Sequence, residues 1–217
     1  TGGNFICGGK DSNNILIITN GGAVHCKAAY IGQKRGANNN AAIVTGNDAF
    51  WYDLTGFDIG DHSNGNTLTI ANGGKVSCNA AYLGWDQGAD GNGATVTGAG
   101  SIFNISETLT LGHGGSGNTL LISDGGTVYS SDGASLGSSG GSNNVATVSG
   151  AASVWNVEFG PVSIGRETPT LGNTLILKDG GTVAGGVSVN PGATLTGNGT
   201  IGSLTVASTH PSAYSAR

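Results

Sequence analysis

The chain has 217 residues, 42 of them Gly, with 10% charged residues, 4 Pro, no Met and a formal net charge of -5. Glycine without a G-X-Y triplet and without proline excludes collagen. Val, Ile and Leu recurring at so small a net charge exclude a disordered chain. The 8 Lys+Arg are too few and too scattered to clamp phosphates, so no nucleic-acid partner is expected. No apolar run reaches the roughly 18 residues of a membrane-crossing helix, so no membrane insertion by this chain is expected. The chain opens at Thr1 with neither Met nor a signal peptide, which reads as a processed product or a piece of something longer.

In chain order, the first recognisable unit runs from Asn14 to Val24, with a Gly21-Gly22 pair after a short apolar stretch. The same text returns at Asn66–Val76, Asn118–Val128 and Asn173–Val183, and the Gly pairs at 21, 73 and 125 are 52 residues apart. A weaker half-repeat lies inside each unit: Ile70 and Val76 are echoed 26 residues later by Val96 and Ile102. Within each unit apolar and polar residues alternate, as in Thr67-Leu68-Thr69-Ile70 and Thr108-Leu109-Thr110-Leu111, the period of a strand with one buried face. Asn-Gly, Asp-Gly and Gly-Gly steps punctuate the strands, and no window carries a helical period.

Antiparallel hairpins offer no reason for an identity period. A parallel β-solenoid does, because each coil stacks like residues on like at about 4.8 Å. The expectation is therefore an all-β parallel β-helix of about eight coils of roughly 26 residues, three short strands to a coil. It forms one domain over residues 1–206, with a tail at 207–217. Leu68, Ile70, Val76, Leu83, Val96, Ile102, Leu109 and Leu111 should point inward.

Trp51, Phe103 and Trp155 recur at 52-residue spacing, as do Tyr30 and Tyr82. Such a stripe is either a sugar-stacking platform or internal packing beneath a turn, and the apolar neighbours favour packing. Cys26 and Cys78 fall two coils apart, about 9.6 Å, beyond the roughly 7 Å Cα limit of a disulfide. A Cys7–Cys26 bridge stays open at this point. Small buried hydrophobes are the expectation for all three Cys.

Glycoside cleavage needs two carboxylates some 5–10 Å apart. The best local collection is Asp53, Asp58, Asp61 and His62, with Lys34 and Arg35 one unit earlier. Asp58 and Asp61 read as residues of a turn whose counterparts are Thr110 and His113. Asp90, Asp124, Asp132 and Asp179 precede Gly, where an Asx-turn accounts for them. No catalytic residue is assigned. The single Gly88–Gly93 loop does not repeat as calcium nonapeptides do, and the four His share no ligand spacing, so no cofactor or metal is expected. Trp51, Tyr52, Asp58, Asp61 and His62 are kept as candidate contacts for a surface glycan or partner. An outward Thr ladder (Thr69, Thr95, Thr147) is broken by Ile17, Leu121 and Ile176.

The segment Gly180-Gly181-Thr182-Val183-Ala184-Gly185-Gly186-Val187-Ser188-Val189-Asn190-Pro191-Gly192-Ala193-Thr194-Leu195-Thr196-Gly197-Asn198-Gly199-Thr200-Ile201-Gly202 resembles the passenger regions of bacterial autotransporters, and related surface proteins with autotransporter-associated β-strand repeats. The Asn-Thr-Leu-x-Ile-x-x-Gly-Gly units extend the likeness over most of residues 13–206. The resemblance implies a right-handed parallel β-helix, export from a Gram-negative bacterium, and adhesive or scaffolding duty at the cell surface or beyond it. No protease triad carries over, and no membrane barrel follows. The expected role is a non-enzymatic extracellular structural protein: surface scaffold, adhesive stalk or filament subunit. The alternative is a polysaccharide-binding or polysaccharide-cleaving β-helix. The first residues, Thr1 to Gly9, already look like the later half of a unit and form no amphipathic cap, so head-to-tail self-association is expected.

Overall fold

The structure, a computed structural model, describes residues 2–166 and 170–207. It is helix-free among those residues and built entirely of parallel strand pairs. The solenoid makes about seven turns of ~26 residues. That is one fewer than eight full coils, because the last layer holds only the short β21 (Thr194–Gly197) and β22 (Thr200–Val206). His210 and the rest of the tail from 208 lie outside the described residues.

Three strands make a coil. The first face stacks β2 (Ile15–Thr19), β5 (Ala41–Thr45), β8 (Thr67–Ala71), β11 (Gly93–Thr97), β14 (Thr119–Ser123), β17 (Val145–Ser149), β19 (Thr174–Lys178) and β21. The second begins with β3 (Ala23–Cys26), β6 (Phe50–Asp53), β9 (Lys75–Cys78), β12 (Ile102–Ile105) and β15 (Thr127–Ser130). The third holds β1 (Phe5–Cys7), β4 (Ala29–Ile31), β7 (Gly56–Ile59), β10 (Ala80–Leu83), β13 (Leu109–Leu111) and β16 (Ala134–Leu136). In the later coils the second and third faces fuse into the single strands β18 (Val154–Ile164), β20 (Thr182–Val189) and β22.

Turn chemistry explains where the strands stop. Asn20, Asn72, Asp124 and Asp179 hold φ of 52–54°, each just before a Gly that is also at positive φ. Asn and Asp tolerate this left-handed region better than other side-chain-bearing residues. The second Gly of the pair is required for a different reason: a Cβ on Gly126 would collide with the Val96 carbonyl oxygen of the previous coil.

The first face keeps a strict 26-residue step from β2 to β17, with Leu16, Ala42, Leu68, Ala94, Leu120 and Ala146 in one column. The second face alternates 27 and 25. Val24 pairs with Trp51, Trp51 with Val76, Val76 with Phe103, Phe103 with Val128 and Val128 with Trp155. The inward residue opposite Val76 is therefore Phe103, not Ile102, which a fixed 26-residue step selects. Ile102 pairs with Lys75 and is only partly buried, while Phe103 is 0% exposed. The other seven residues expected inward are buried. A one-residue change of register turns a side chain to the opposite face. Small Val and large aromatic rings alternate along this column, so each ring fills space its neighbours leave.

A second column is polar and runs through the interior. Asn14, Asn40, Asn66, Asn92, Asn118, Asn144 and Asn173 stack on the entry to the first face, each donating its side-chain amide to the Oδ1 of the next at 2.8–3.2 Å. The same Oδ1 also accepts the backbone N–H of the preceding Asn at 2.8–3.0 Å. All but Asn14 are fully buried. Gly84 (φ 74°) faces the ladder, and a Cβ there would collide with the Asn118 amide.

The three Cys are free and buried, so the Cys7–Cys26 bridge does not form. Cys26 and Cys78 do lie two coils apart, with Asp53 paired to Cys26 in the intervening strand.

Candidate functional site

The fold separates the sequence-derived candidates. Trp51 is 0% exposed, with its indole N–H donating to the Cys26 sulfur at 3.3 Å, so it is core and not a glycan contact. It packs edge-on against Phe57 (4.8 Å) and Phe5 (5.3 Å). Trp155 repeats the arrangement two units later, donating to Ser130 Oγ at 3.0 Å. Tyr52 points out from β6 beside His25 and Phe50, on the second face.

Asp58, Asp61 and His62 do come together, on the third face and the turn that follows it. Asp58 is not a turn residue: it is the outward position of strand β7. Its register partners are Tyr30 of β4 and Tyr82 of β10. The resulting column is Tyr30, Asp58, Tyr82, Thr110. After each of these strands comes a Gly at positive φ, and the next residues stack as Gln33, Asp61, Trp85 and His113, their backbone amides bonded coil to coil.

Tyr30, Asp58, Asp61, Tyr82 and Trp85 enclose a cleft of about 210 Å³. Trp85 meets Tyr82 edge-on at 4.5 Å and 77°, and the His113 imidazole lies flat on it at 4.2 Å and 9°. His113 belongs to the following coil and Asp61 to the preceding one. On the rim, the His62 imidazole donates from Nδ1 to Asp86 at 3.0 Å, and its Nε2 is 3.6 Å from Asp61. Arg35 is 3.8 Å from Asp86. No group of three or more His, Cys, Asp or Glu is placed to hold a metal ion among the described residues.

The electrostatics of the cleft are one-sided. Burial, and then the charges of Asp61 and Asp53, push Asp58 up to about 7. Burial also raises Asp61, against the pull of His62. Among the described residues no hydrogen bond or ion pair reaches the Asp58 carboxylate. Tyr30 and Tyr82 are raised as well, first by burial and then by the Asp58 charge. A second cleft on the same face, about 250 Å³, contains Asp132 and Arg166 among hydroxyls and so carries both signs of charge.

Asp53 faces inward and is fully buried, its Oδ1 accepting the Thr55 amide at 2.6 Å. Burial pushes it up to about 6. A carboxyl whose folded value exceeds its unfolded one favours the fold below the unfolded value, and loses that contribution as pH rises through the folded one. The protein should therefore lose up to about 3 kcal/mol of stability between pH 4 and pH 8 from Asp53 alone. Asp86, held low first by His62, acts in the opposite sense but is exposed to solvent, so its effect is small. Thermal unfolding at pH 4.5 and pH 8 should show the higher midpoint in acid, with Asp53→Asn and Asp58→Asn each removing part of the difference, because the raised Asp58 acts in the same direction. A midpoint that rises with pH in the wild type contradicts this.

The sequence reading found Asp58, Asp61 and His62 but left out Trp85 and Asp86. On the third face the coil step alternates between 28 and 24, as in Ile31–Ile59–Leu83–Leu111. A search at 26 or 52 links Asp61 to His113 and steps over Trp85, which stands between them. No family model matches the chain, and neither a curated protein nor a solved structure does.

Proposed function

We propose that this chain is a non-enzymatic structural protein, a rigid β-solenoid rod that works outside the cell as scaffold or adhesive stalk. The observation that carries the reading is the Asn ladder, continuous from Asn14 to Asn173. With the apolar columns beside it, it ties each coil from Asn14 to Asn173 to the next through side-chain bonds as well as backbone pairing. Such an interior supports length and stiffness. The weakly charged, repetitive exterior and the likeness of residues 180–202 to autotransporter passengers support an address at a Gram-negative cell surface.

Rods of this kind join by strand edges. Among the described residues β21 pairs with β19 alone and β22 with β20 alone. Leu204 and Val206 continue inward columns yet are 51% and 67% exposed. At the other end, among the described residues, β1, β2 and β3 each pair on one side only, and Phe5, Leu16 and Val24 are partly buried against the core. Stacking a second copy there extends both the ladder of strands and the core, and such a heterologous contact propagates instead of closing. Sedimentation of the purified chain should show concentration-dependent species longer than one rod, suppressed by the double substitution Leu204→Lys and Val206→Lys. A single species at every concentration overturns the filament, and compact, non-elongated particles under electron microscopy overturn the rod.

A further inference from the structure

The cleft on the third face has a chemistry that the rod does not need. Its walls are three aromatic rings and its polar atoms are carboxylates and phenols, with no cationic side chain in the lining. Tyr30 and Tyr82 rise from strands on either side of β7, two strand spacings or about 9.6 Å apart. A cation seated midway would lie about 4.8 Å from each wall, inside the ~6 Å reach of an aromatic face. Trp85 closes a third side, its ring at right angles to Tyr82 and stacked on His113. Asp58 forms the floor between the tyrosines, and Asp61 stands beside Trp85.

We infer that this cleft binds an alkylammonium cation, a methylated amine above all, held by Tyr30, Tyr82 and Trp85 over the carboxylates of Asp58 and Asp61. Two features select a cation over a neutral sugar. The lining places two carboxylates together and, among the described residues, no positive side chain pairs with Asp58, so a cationic ligand meets an uncompensated charge once Asp58 ionises. The rings also meet at an angle around a small volume, which suits a compact head group and not the flat stacking of a pyranose. Methylation favours the fit because it spreads the charge over an apolar surface that loses little on leaving water. The raised Asp58 supports the same conclusion, since a group held up by desolvation and repulsion is relieved by an incoming cation. The inference is independent of whether rods join end to end.

Tetramethylammonium is the probe. Trp51 and Trp155 are buried with their indole N–H groups bonded, so in an NMR titration only the Trp85 indole should shift and saturate. The uncharged isostere of choline, 3,3-dimethylbutanol, should produce no saturable shift. By isothermal titration at pH 8, Asp58→Asn should weaken binding about tenfold or more, and Trp85→Ala should abolish it. Both substitutions lie at outward positions, and an unchanged strand-rich circular dichroism spectrum with a cooperative unfolding transition establishes that the fold is intact. Binding should also strengthen from pH 6 to pH 8 as Asp58 ionises among its titratable neighbours Tyr30, Tyr82, Asp53 and Asp61. Co-sedimentation with phosphatidylcholine vesicles would place the source of the cation in a lipid head group, and binding of free choline alone would place it in solution. A Trp85 signal unmoved by the cation, an equal response to the neutral isostere, or unchanged affinity in Asp58→Asn overturns the inference.

Discussion

Replacing Asn92 with Ala is expected to cost about 2–4 kcal/mol of unfolding free energy. Asn92 sits mid-ladder. Its Oδ1 accepts both the backbone N–H (2.9 Å) and the side-chain amide (3.0 Å) of Asn66, and its own amide donates to Ser63 (3.0 Å) and Asn118 (3.2 Å). Alanine leaves the Asn66 backbone N–H without an acceptor in a site closed to water, takes from the Asn66 side-chain amide one of its three acceptors, and removes a donor from each of two acceptors. Each buried orphan costs about 1–3 kcal/mol, so the sum takes a large share of a typical 5–15 kcal/mol stability. Asn92→Asp keeps the accepting oxygen for Asn66 but turns a second oxygen toward Asn118 Oδ1. It should be strongly destabilised near neutrality and partly restored in acid, where the carboxyl can donate. Denaturant unfolding of the three proteins checks this, and a loss below about 1 kcal/mol for Asn92→Ala would show that the ladder is a bystander.

Trp51→Ala should cost about 3–5 kcal/mol, a cavity effect combined with the loss of the indole N–H to Cys26. The ring is fully buried between Phe5 and Phe57, and its strand neighbours in the column, Val24 and Val76, are too small to fill the space. Trp51→Phe should recover most of the loss, because Phe103 occupies the equivalent site two coils on, beside Cys78. Neither substitution touches the third-face cleft, so tetramethylammonium binding per folded molecule should stay unchanged in Trp51→Phe. A loss below about 1 kcal/mol in Trp51→Ala would contradict a core role.

Much of this molecule is legible from its residues because stacking like on like repeats the text. The 52-residue return of Asn66–Val76 at Asn118–Val128 implies parallel coils, and Asn-Gly and Asp-Gly steps mark their corners. The Asn ladder was half visible. Asn14, Asn66, Asn118 and Asn173 open the strong repeats, whereas Asn40, Asn92 and Asn144 sit in the divergent halves, where the surrounding text no longer points to them. Amide-to-amide bonding also depends on which way each side chain turns, and that follows from the folded coil.

Residue types and their period determined the helix-free parallel solenoid, its approximate coil length and the burial of the first-face columns, since that face advances by a constant 26. On the other two faces Val76, Leu83, Leu109 and Leu111 were read correctly as inward, but which residue of the next coil stands opposite each was decided by the tertiary structure. There the corners gain or lose one or two residues in alternate coils, so steps of 27 and 25, or 28 and 24, cancel over 52 and hide from a search at that period. Because strand side chains alternate sides at every residue, those small offsets turned Phe103 into the core in place of Ile102. They also set Trp85 between Asp61 and His113, completing a cleft whose parts lie 55 residues apart between Tyr30 and Trp85.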